Sequence, residues 1–369
     1  MINTKPILFG EERVGRMSIG TITFNRPEVL NSLNTECYEL IVNKLKFWES
    51  NEDIAMVVVN SSGDQAFCAG GDVKALSLGV KKSGIAFAKS FFTAEYFTDC
   101  YLRNYPKPIL AVAKGLVMGG GLGFLQGCSH RAVTFKSILS MPEISIGLFP
   151  DVGATQFLGK IKNHFGLFMG LTGARISSHD AIEVGLADHL LQEGHLRKIH
   201  ADLIRLPWQR SEADNHQILT DYLLSVSSPD IKPEGCFAFI TELADRFESN
   251  DLQKIHELIE NLETKNPFLV QAKNMFLAGS PLSKKIFFSA YMRHRGLDIK
   301  EALINEWDLS IRSMKETEFH EGVRALLIDK DKAPKWSSEL YEKAKNDIAY
   351  FFKSDEENDL AKKFSQVGF

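Results

Sequence analysis

The sequence shows no excess of charge of either sign. Its 369 residues include 43 lysines and arginines against 47 aspartates and glutamates, which gives a formal net charge of −4. A protein without a basic surface field has no general attraction for polyanions. We therefore do not expect nucleic acid or an anionic membrane among its partners.

Cysteines are few and show no paired spacing. The sequence contains five, without a C-x-x-C motif: Cys37, Cys68, Cys100, Cys128 and Cys236. An odd number of widely separated cysteines is typical of a reducing compartment. Because residues 1–12 also lack the apolar core of a secretory signal and the arginine-rich composition of a transit peptide, we predict a cytoplasmic protein.

Long hydrophobic runs and metal-binding motifs are absent as well. The most apolar stretch, residues 109–128, has the length of a membrane helix but includes Lys114, Gln126 and six glycines, which favours buried backbone over a membrane span. The ten histidines form no H-x-x-x-H or H-E-x-x-H pair, and no Gly-x-Ser-x-Gly motif occurs. We therefore expect neither a catalytic metal nor another cofactor.

The first half of the chain alternates strands with helices. Two nearly continuous apolar runs, residues 54–59 and 108–113, predict strands that are buried on both faces. Between them, apolar residues recur at helical spacing. An earlier helix is predicted behind a cap at Asn34 or Thr35. This alternation indicates the α/β class.

The composition changes at about residue 199. From there onward glycines are sparse, and long amphipathic segments with strong helix formers dominate. We therefore predict a catalytic α/β core over residues 1–198 and a helical region over residues 199–369. Breaks in the helical pattern are expected at Asn266-Pro267 and at Gly279-Ser280-Pro281.

Two glycine-rich loops could present backbone N–H groups to a ligand. Residues 67–72, Phe-Cys-Ala-Gly-Gly-Asp, follow a predicted strand, and glycines there permit positive φ angles and close approach of a ligand. Residues 118–123, Met-Gly-Gly-Gly-Leu-Gly, precede a predicted helix, whose first N–H groups suit an oxyanion. From the residues alone, close packing of each loop against its neighbours is an equally good explanation.

Three acidic residues are candidates for chemistry. Glu143 and Asp151 each follow a proline inside the apolar, turn-rich segment 141–153. Burial penalises a charged carboxylate, so such acids are either paired or suited to acid–base or nucleophilic work. Glu95 lies at the edge of a helix's apolar stripe, where most glutamates extend to solvent.

The order of these motifs resembles the crotonase (enoyl-CoA hydratase/isomerase) superfamily. The resemblance runs across residues 10 to 190, and its matching segments are residues 25–31, 67–72, 107–108, 119–121, 142–143 and 171–188. It implies a crotonase-type spiral of repeated ββα units, followed here by a helical C-terminal region. Within the superfamily, residues 147–153 and 319–336 are similar to the 3-hydroxyisobutyryl-CoA hydrolase subfamily. That similarity implies hydrolysis of a short branched 3-hydroxyacyl-CoA thioester.

The resemblance also implies roles for individual residues. It makes Gly71 and Gly120 the residues whose N–H groups bind the thioester oxygen. It makes Glu143 the catalytic carboxylate and Asp151 the second catalytic acid. By the same resemblance, Glu95 is a glutamate that lines the acyl pocket.

One departure from the hydratase pattern distinguishes two reactions. Hydratases of this family carry a second glutamate two residues after the triple glycine, and this chain has Gly123 there. The resemblance therefore favours hydrolysis over hydration. An enoyl-CoA hydratase or isomerase on the same fold is one alternative, and a non-catalytic CoA-binding relative is another.

The expected small-molecule partner is an acyl-CoA. Its phosphates need local cations or N–H donors even in a protein of net negative charge. The candidates by charge are Arg26, Lys74 and Lys114, and those by loop position are Ala69 and Gly71. The resemblance implies a homo-oligomer, since many members of the family form trimers or hexamers. A C-terminal region of this length could instead cover that contact surface, so the oligomeric state stays open.

Overall fold

The computed structural model describes residues 5–354 and 357–367, and in these residues ten strands form two sheets. The strands are β1 (Ile7–Val14), β2 (Met17–Phe24), β3 (Ile54–Ser61), β4 (Ala66–Cys68), β5 (Ile109–Ala113), β6 (Leu116–Met118), β7 (His130–Thr134), β8 (Ile138–Ser140), β9 (Ile176–Ser177) and β10 (His189–Leu191). The larger sheet has the order β1-β2-β3-β5-β7-β10, and the smaller has the order β4-β6-β8-β9. In the larger sheet β1 and β2 are antiparallel, and the strands from β2 to β10 pair in parallel.

Helices connect the strands and then make up the rest of the described chain. The α-helices are α1 (Thr35–Glu49), α2 (Val73–Ser83), α3 (Ile85–Arg103), α4 (Gly120–Gly127), α5 (Ala154–Phe157), α6 (Phe165–Thr172), α7 (Ser178–Glu183), α8 (Glu193–Leu196), α9 (Ile199–Leu203), α10 (Glu212–Val226), α11 (Gly235–Glu242), α12 (Ala244–Phe247), α13 (Leu252–Glu260), α14 (Pro267–Ala278), α15 (Pro281–His294), α16 (Ile299–Lys315), α17 (Thr317–Val323), α18 (Ser338–Asn346) and α19 (Asp359–Val367). Short 3-10 turns lie at Pro27–Val29, Glu143–Ile146, Leu158–Lys160, Lys162–His164 and Ile348–Phe352, and a π-helical turn lies at Arg324–Ile328. Within the described residues no strand follows β10, so the helical region predicted from residue 199 is confirmed.

The sheets are built from repeated strand–strand–helix units. In three successive units, β3 with β4, β5 with β6 and β7 with β8, the first strand joins the larger sheet and the second joins the smaller. Helices follow each pair of strands. This arrangement is the predicted spiral of ββα units.

The two predicted strands and the start of the first predicted helix agree with the observed elements to within two residues. The predicted strand 54–59 extends to Ser61, and all six of its predicted residues are buried. The predicted strand 108–113 starts one residue later, at Ile109, because a proline has no N–H to give to a neighbouring strand. Helix α1 begins behind Asn34, whose side chain accepts the Cys37 N–H.

The chain divides into two compact units, each discontinuous in sequence. The first unit takes the described residues up to Gly71 together with Thr98–Leu139 and Ile176–Glu234. The second takes Asp72–Phe97, Ser140–Arg175 and the described residues from Gly235 onward. The predicted boundary between a core over residues 1–198 and a helical region over residues 199–369 rests on the change in composition along the chain. That boundary stays a prediction.

The larger sheet belongs to the first unit, where it packs against α10. Leu219 and Leu223 of that helix join Met56 and Val58 of β3 in one buried apolar cluster. The apolar stretch 109–128 forms β5, β6 and α4 in the same unit, and most of its residues are buried. Of the helices described, none combines the length and hydropathy that crossing a membrane requires.

Candidate active site

The two glycine-rich loops adjoin each other in the first unit. A Cβ atom added to Gly70 would lie 3.0 Å from the Met118 carbonyl oxygen and 3.1 Å from the Gly120 nitrogen. A Cβ atom added to Gly121 would lie 2.3 Å from the Cys68 carbonyl oxygen. The loops therefore approach backbone to backbone, which only glycine permits at these positions.

This approach places both predicted oxyanion glycines on adjoining loops. Gly71 follows Gly70, whose φ is +99° and whose carbonyl oxygen accepts the Leu33 N–H at 2.9 Å. Gly120 is the first residue of α4. The first N–H groups of a helix have no acceptor within that helix and lie at the positive end of its dipole. The geometry of this loop pair suits binding of a carbonyl oxygen that gains negative charge.

The residues predicted to contact CoA have varied surroundings. Ala69 is half-buried in the loop before Gly71, and Lys74 is exposed in α2 of the second unit. The Arg26 guanidinium donates to the Ser32 carbonyl oxygen at 2.7 Å. The Lys114 ammonium pairs with Asp64 at 3.0 Å. A role for these residues toward the CoA phosphates stays a prediction.

The first unit has a cavity of about 590 Å³. Among the predicted site residues, Lys114 is the one that lines it. Its lysines are engaged by neighbouring acids, since Lys114 pairs with Asp64 and Lys136 pairs with Glu193. Arg197 also lines this cavity and adds a positive charge beyond these two ion pairs.

The three predicted acids cluster in the second unit. Glu95, Glu143 and Asp151 are 3%, 5% and 4% exposed, respectively, so each carboxyl is removed from bulk water. Glu95 therefore differs from most glutamates at the edge of an apolar stripe, which extend to solvent. Glu95 lies in α3, and Glu143 opens a 3-10 turn directly after Pro142.

Burial dominates the ionisation of this cluster. Burial raises the pKa of Glu143 well above its usual value, and the charges of Asp151 and Glu95 raise it further. Among the described residues Glu143 Oε2 has no hydrogen-bond partner. Burial also raises the pKa of Asp151 to about 7, although a hydrogen bond from Tyr96 opposes that shift.

Tyr96 and Ser310 complete the surroundings of Asp151, and sequence reasoning missed both. The Tyr96 hydroxyl donates to Asp151 Oδ2 at 2.5 Å and lies 2.7 Å from Ser310 Oγ. Since a tyrosine hydroxyl has one proton, Ser310 donates to Tyr96 when Tyr96 donates to Asp151. Tyr96 is fully buried. The signal available in the sequence was its position directly after Glu95, a predicted site residue.

A fourth buried acid, Glu306 of α16, was also missed. It is 0% exposed, and it accepts hydrogen bonds from Gly153 and Thr155, next to Asp151. A signal was present in the sequence, because Glu306 interrupts the apolar face formed by Leu303 and Trp307 at helical spacing. Burial raises the pKa of Glu306 to about 8.

The arrangement of the buried acids suits acid–base or nucleophilic chemistry. Glu143 combines a buried carboxyl group, an oxygen without a partner and a second acid nearby, as a base or nucleophile requires. In the part of the chain that the structure describes, no group of three or more histidine, cysteine, aspartate or glutamate side chains could hold a metal ion.

Comparison with known proteins identifies the family. The sequence pattern of the family described as "Enoyl-CoA hydratase/isomerase" matches residues 19–352. A Danio rerio protein named "3-hydroxyisobutyryl-CoA hydrolase, mitochondrial" is 35% identical over 355 residues, which are 95% of this chain and 90% of the relative.

Solved structures agree in fold over nearly the whole chain. The crystal structure of an enoyl-CoA hydratase from Rhodobacter sphaeroides 2.4.1 is 31% identical with a TM-score of 0.81, covering 95% of this chain and 98% of that one. A carnitinyl-CoA dehydratase from Mycobacterium thermoresistibile is 27% identical with a TM-score of 0.84, covering 97% and 99%. The predicted fold class is confirmed, and the chain belongs to the enoyl-CoA hydratase/isomerase family.

Proposed function

We propose that the protein hydrolyses the thioester of a short branched 3-hydroxyacyl-CoA, such as 3-hydroxyisobutyryl-CoA, to the free hydroxy acid and CoA. The observation that carries this proposal is the buried pair of Glu143 and Asp151, in which Glu143 keeps one oxygen without a partner. The substrate class is supported by the name of the Danio rerio relative.

In this proposal, Gly71 and Gly120 bind the thioester oxygen through their N–H groups. Both donors would stabilise the negative charge of the tetrahedral intermediate. Removing one such donor costs about 3 to 4 kcal/mol, or roughly a hundred- to a thousandfold in kcat. The adjoining loops and the helix start at Gly120 support this role.

Glu143 has two possible routes. As a nucleophile, its carboxylate attacks the carbonyl carbon, the C–S bond breaks, and CoA leaves as a thiolate that takes up a proton. Water then cleaves the resulting mixed anhydride. As a general base, Glu143 instead takes a proton from the water that attacks the carbonyl carbon. An acid-quenched single turnover separates the routes, because only the first gives an acyl adduct on the Glu143 peptide by mass spectrometry.

Asp151 and Glu95 would orient the 3-hydroxyl group of the substrate and the attacking water. A site built to hydrogen-bond a hydroxyl group discriminates strongly against analogues that lack it. Ionised Asp151 already accepts the Tyr96 hydrogen bond, and its other lone pairs can accept one from water.

Enoyl-CoA hydration is the second candidate function. It is favoured by the likeness to the Rhodobacter sphaeroides enoyl-CoA hydratase, which is 31% identical to this chain. It is opposed by Gly123, a buried residue of α4, because the family resemblance places the second hydratase glutamate there.

A panel of substrates decides between the two functions. We expect fast thiol release from 3-hydroxyisobutyryl-CoA and 3-hydroxypropionyl-CoA, and slow release from acetyl-CoA. We expect no hydration of crotonyl-CoA. Hydration of crotonyl-CoA without thiol release from any substrate would instead establish the hydratase.

We further propose that the reaction needs no cofactor beyond the CoA of the substrate and takes place in the cytoplasm. Thiol release that survives dialysis against a chelator would support the first part. The Danio rerio relative is named mitochondrial, so localisation of the tagged full-length protein tests the second part.

A further inference from the structure

The turn that carries Asp151 has a strained backbone. Val152 has a φ of +54°, and Gly153 has a φ of +83°. A left-handed conformation is rare for a β-branched residue, and it persists only where the surroundings enforce it. Val152 is 2% exposed, so the residues packed around it, and not solvent, hold its backbone in this conformation.

One side chain binds this turn from outside it. Glu306 Oε2 accepts the Gly153 N–H at 2.6 Å, and Glu306 Oε1 accepts the Thr155 N–H at 3.1 Å. The Thr155 hydroxyl lies 2.6 Å from the same Oε1 atom and 3.0 Å from His294 Nδ1. Both oxygens of Glu306 thus accept hydrogen bonds from Gly153 and Thr155, two and four residues after Asp151.

We propose that Glu306 is a positioning residue, whose carboxyl group holds the turn at Val152 and Gly153 left-handed and thereby directs the Asp151 carboxyl group to Tyr96. This inference rests on the proposed hydrolase function. In this role Glu306 acts without touching the substrate or the reacting atoms. It acts through the backbone that Asp151 shares with Gly153.

The burial of Glu306 argues against a role in packing alone. It lies between Leu303 and Trp307 on the buried face of α16, where a leucine would fill the same space without the penalty of burying an acid. Burial raises its pKa to about 8, and its two oxygens accept the Gly153 N–H, the Thr155 N–H and the Thr155 hydroxyl. We infer that the free-energy cost of burying the Glu306 carboxyl group is offset because the turn needs these acceptors.

The test compares kcat and KM for thiol release in three variants. Glu306→Leu removes the acceptors, and we expect kcat to fall about tenfold or more while KM changes less than about threefold. Glu306→Gln keeps an acceptor for the Gly153 N–H but turns an NH2 group toward the Thr155 N–H, so we expect a kcat between the wild-type and Glu306→Leu values. Asp308→Leu is the matched control, because Asp308 lies in the same helix but accepts hydrogen bonds from Ser354 and Asn358.

A second-site variant tests the strain directly. Glycine adopts positive φ angles without a steric penalty. Val152→Gly therefore removes the backbone strain of the turn, which in the wild type persists because Glu306 holds the turn. We expect Val152→Gly to raise kcat about threefold or more in the Glu306→Leu background, relative to Glu306→Leu alone. A purely destabilising mutation would add to the loss instead.

Amide hydrogen exchange keeps the proposal testable without turnover. The Gly153 and Thr155 amides should exchange faster in Glu306→Leu and unchanged in Asp308→Leu. If the wild-type protein releases no thiol, the proposed function fails, and faster exchange alone still supports the positioning role. Equal kcat in wild type and Glu306→Leu, equal losses in Glu306→Leu and Asp308→Leu, or unchanged exchange would each overturn it.

Discussion

At the scale of single residues, burial raises the pKa values of Glu143 and Asp151, so both stay protonated at a pH where exposed carboxyl groups are ionised. Glu143 acts as a base or nucleophile only after it loses its proton. Burial and the neighbouring charges of Asp151 and Glu95 raise its pKa. The Tyr96 hydroxyl stabilises ionised Asp151 and so lowers the pKa of that group.

We predict that kcat/KM falls as the pH is lowered, and that this fall begins well above the pH at which exposed carboxyl groups titrate. The pKa of Asp151 is raised to about 7, so kcat/KM should fall as the pH drops through that value. Tyr96→Phe removes a hydrogen bond to the ionised form and should move this limb to higher pH. Profiles between about pH 5 and about pH 9 measure both effects, and a wild-type limb near the value of an exposed glutamate would contradict the prediction.

A second prediction concerns Glu95. Glu95→Ala should lower kcat/KM for 3-hydroxyisobutyryl-CoA about tenfold or more, and that for isobutyryl-CoA much less, because only the first substrate has a hydroxyl group to bind. Any change in the pKa of Glu143 affects both substrates alike and cancels in the ratio of the two values. Equal losses on both substrates would refute the assignment.

The site was only partly predictable from the sequence. Glu143 and Asp151 stand out because each follows a proline in an apolar segment. Ser310 could not be paired with Tyr96, since 214 positions separate them. Glu306 and Gly153 are 153 positions apart. Local periodicity carries no information about such contacts.

At the scale of elements, the spacing of apolar residues specified the regular parts of the chain. Strand β3 and helix α1 follow directly from buried runs and from the cap at Asn34. Helix α5 spans only Ala154–Phe157, which is too short for a periodic signal. The discontinuity of the two compact units likewise depends on contacts between distant segments.

The close approach of the glycine loops leads to a third prediction. Gly121→Ala places a methyl group 2.3 Å from the Cys68 carbonyl oxygen, so we expect a loss of about 1 to 3 kcal/mol in the free energy of unfolding. Because the Gly120 N–H moves with its neighbour, kcat should fall as well. Gly194→Ala is the matched control, since nothing lies within 4 Å of its added Cβ.

Chemical denaturation and thiol release measure both variants of this pair. The control should stay within about 0.5 kcal/mol of the wild-type stability. A Gly121→Ala protein as stable and as active as the control would show that the loops do not require this approach.

At the scale of the whole molecule, buried acids and buried histidines make stability depend on pH in opposite directions. The pKa values of Asp151 and Glu306 are raised to about 7 and about 8. Stability from these groups is present at low pH and is lost as the pH rises through those values. His130 and His294 have pKa values lowered to about 4, so they cost stability only as the pH falls below the usual histidine range.

We therefore predict that the melting temperature falls as the pH rises from about 7 to about 8, above the usual histidine range and below the pKa of about 8 to which burial lowers Lys284. Glu306→Gln has no acid to ionise at that position, so its melting temperature should fall less over the same range. Thermal unfolding followed by circular dichroism measures both slopes, and a wild-type melting temperature that rises over this range would contradict the prediction.

Thiol release from 3-hydroxyisobutyryl-CoA by wild type and Glu143→Gln tests whether Glu143 carries out hydrolysis of a 3-hydroxyacyl-CoA thioester. Glu321→Gln is the matched control, because this acid pairs with Arg324. We expect fast release by wild type and control, and a loss of about a thousandfold or more in Glu143→Gln. Thiol release by Glu143→Gln at the wild-type rate would show that Glu143 is not the catalytic group.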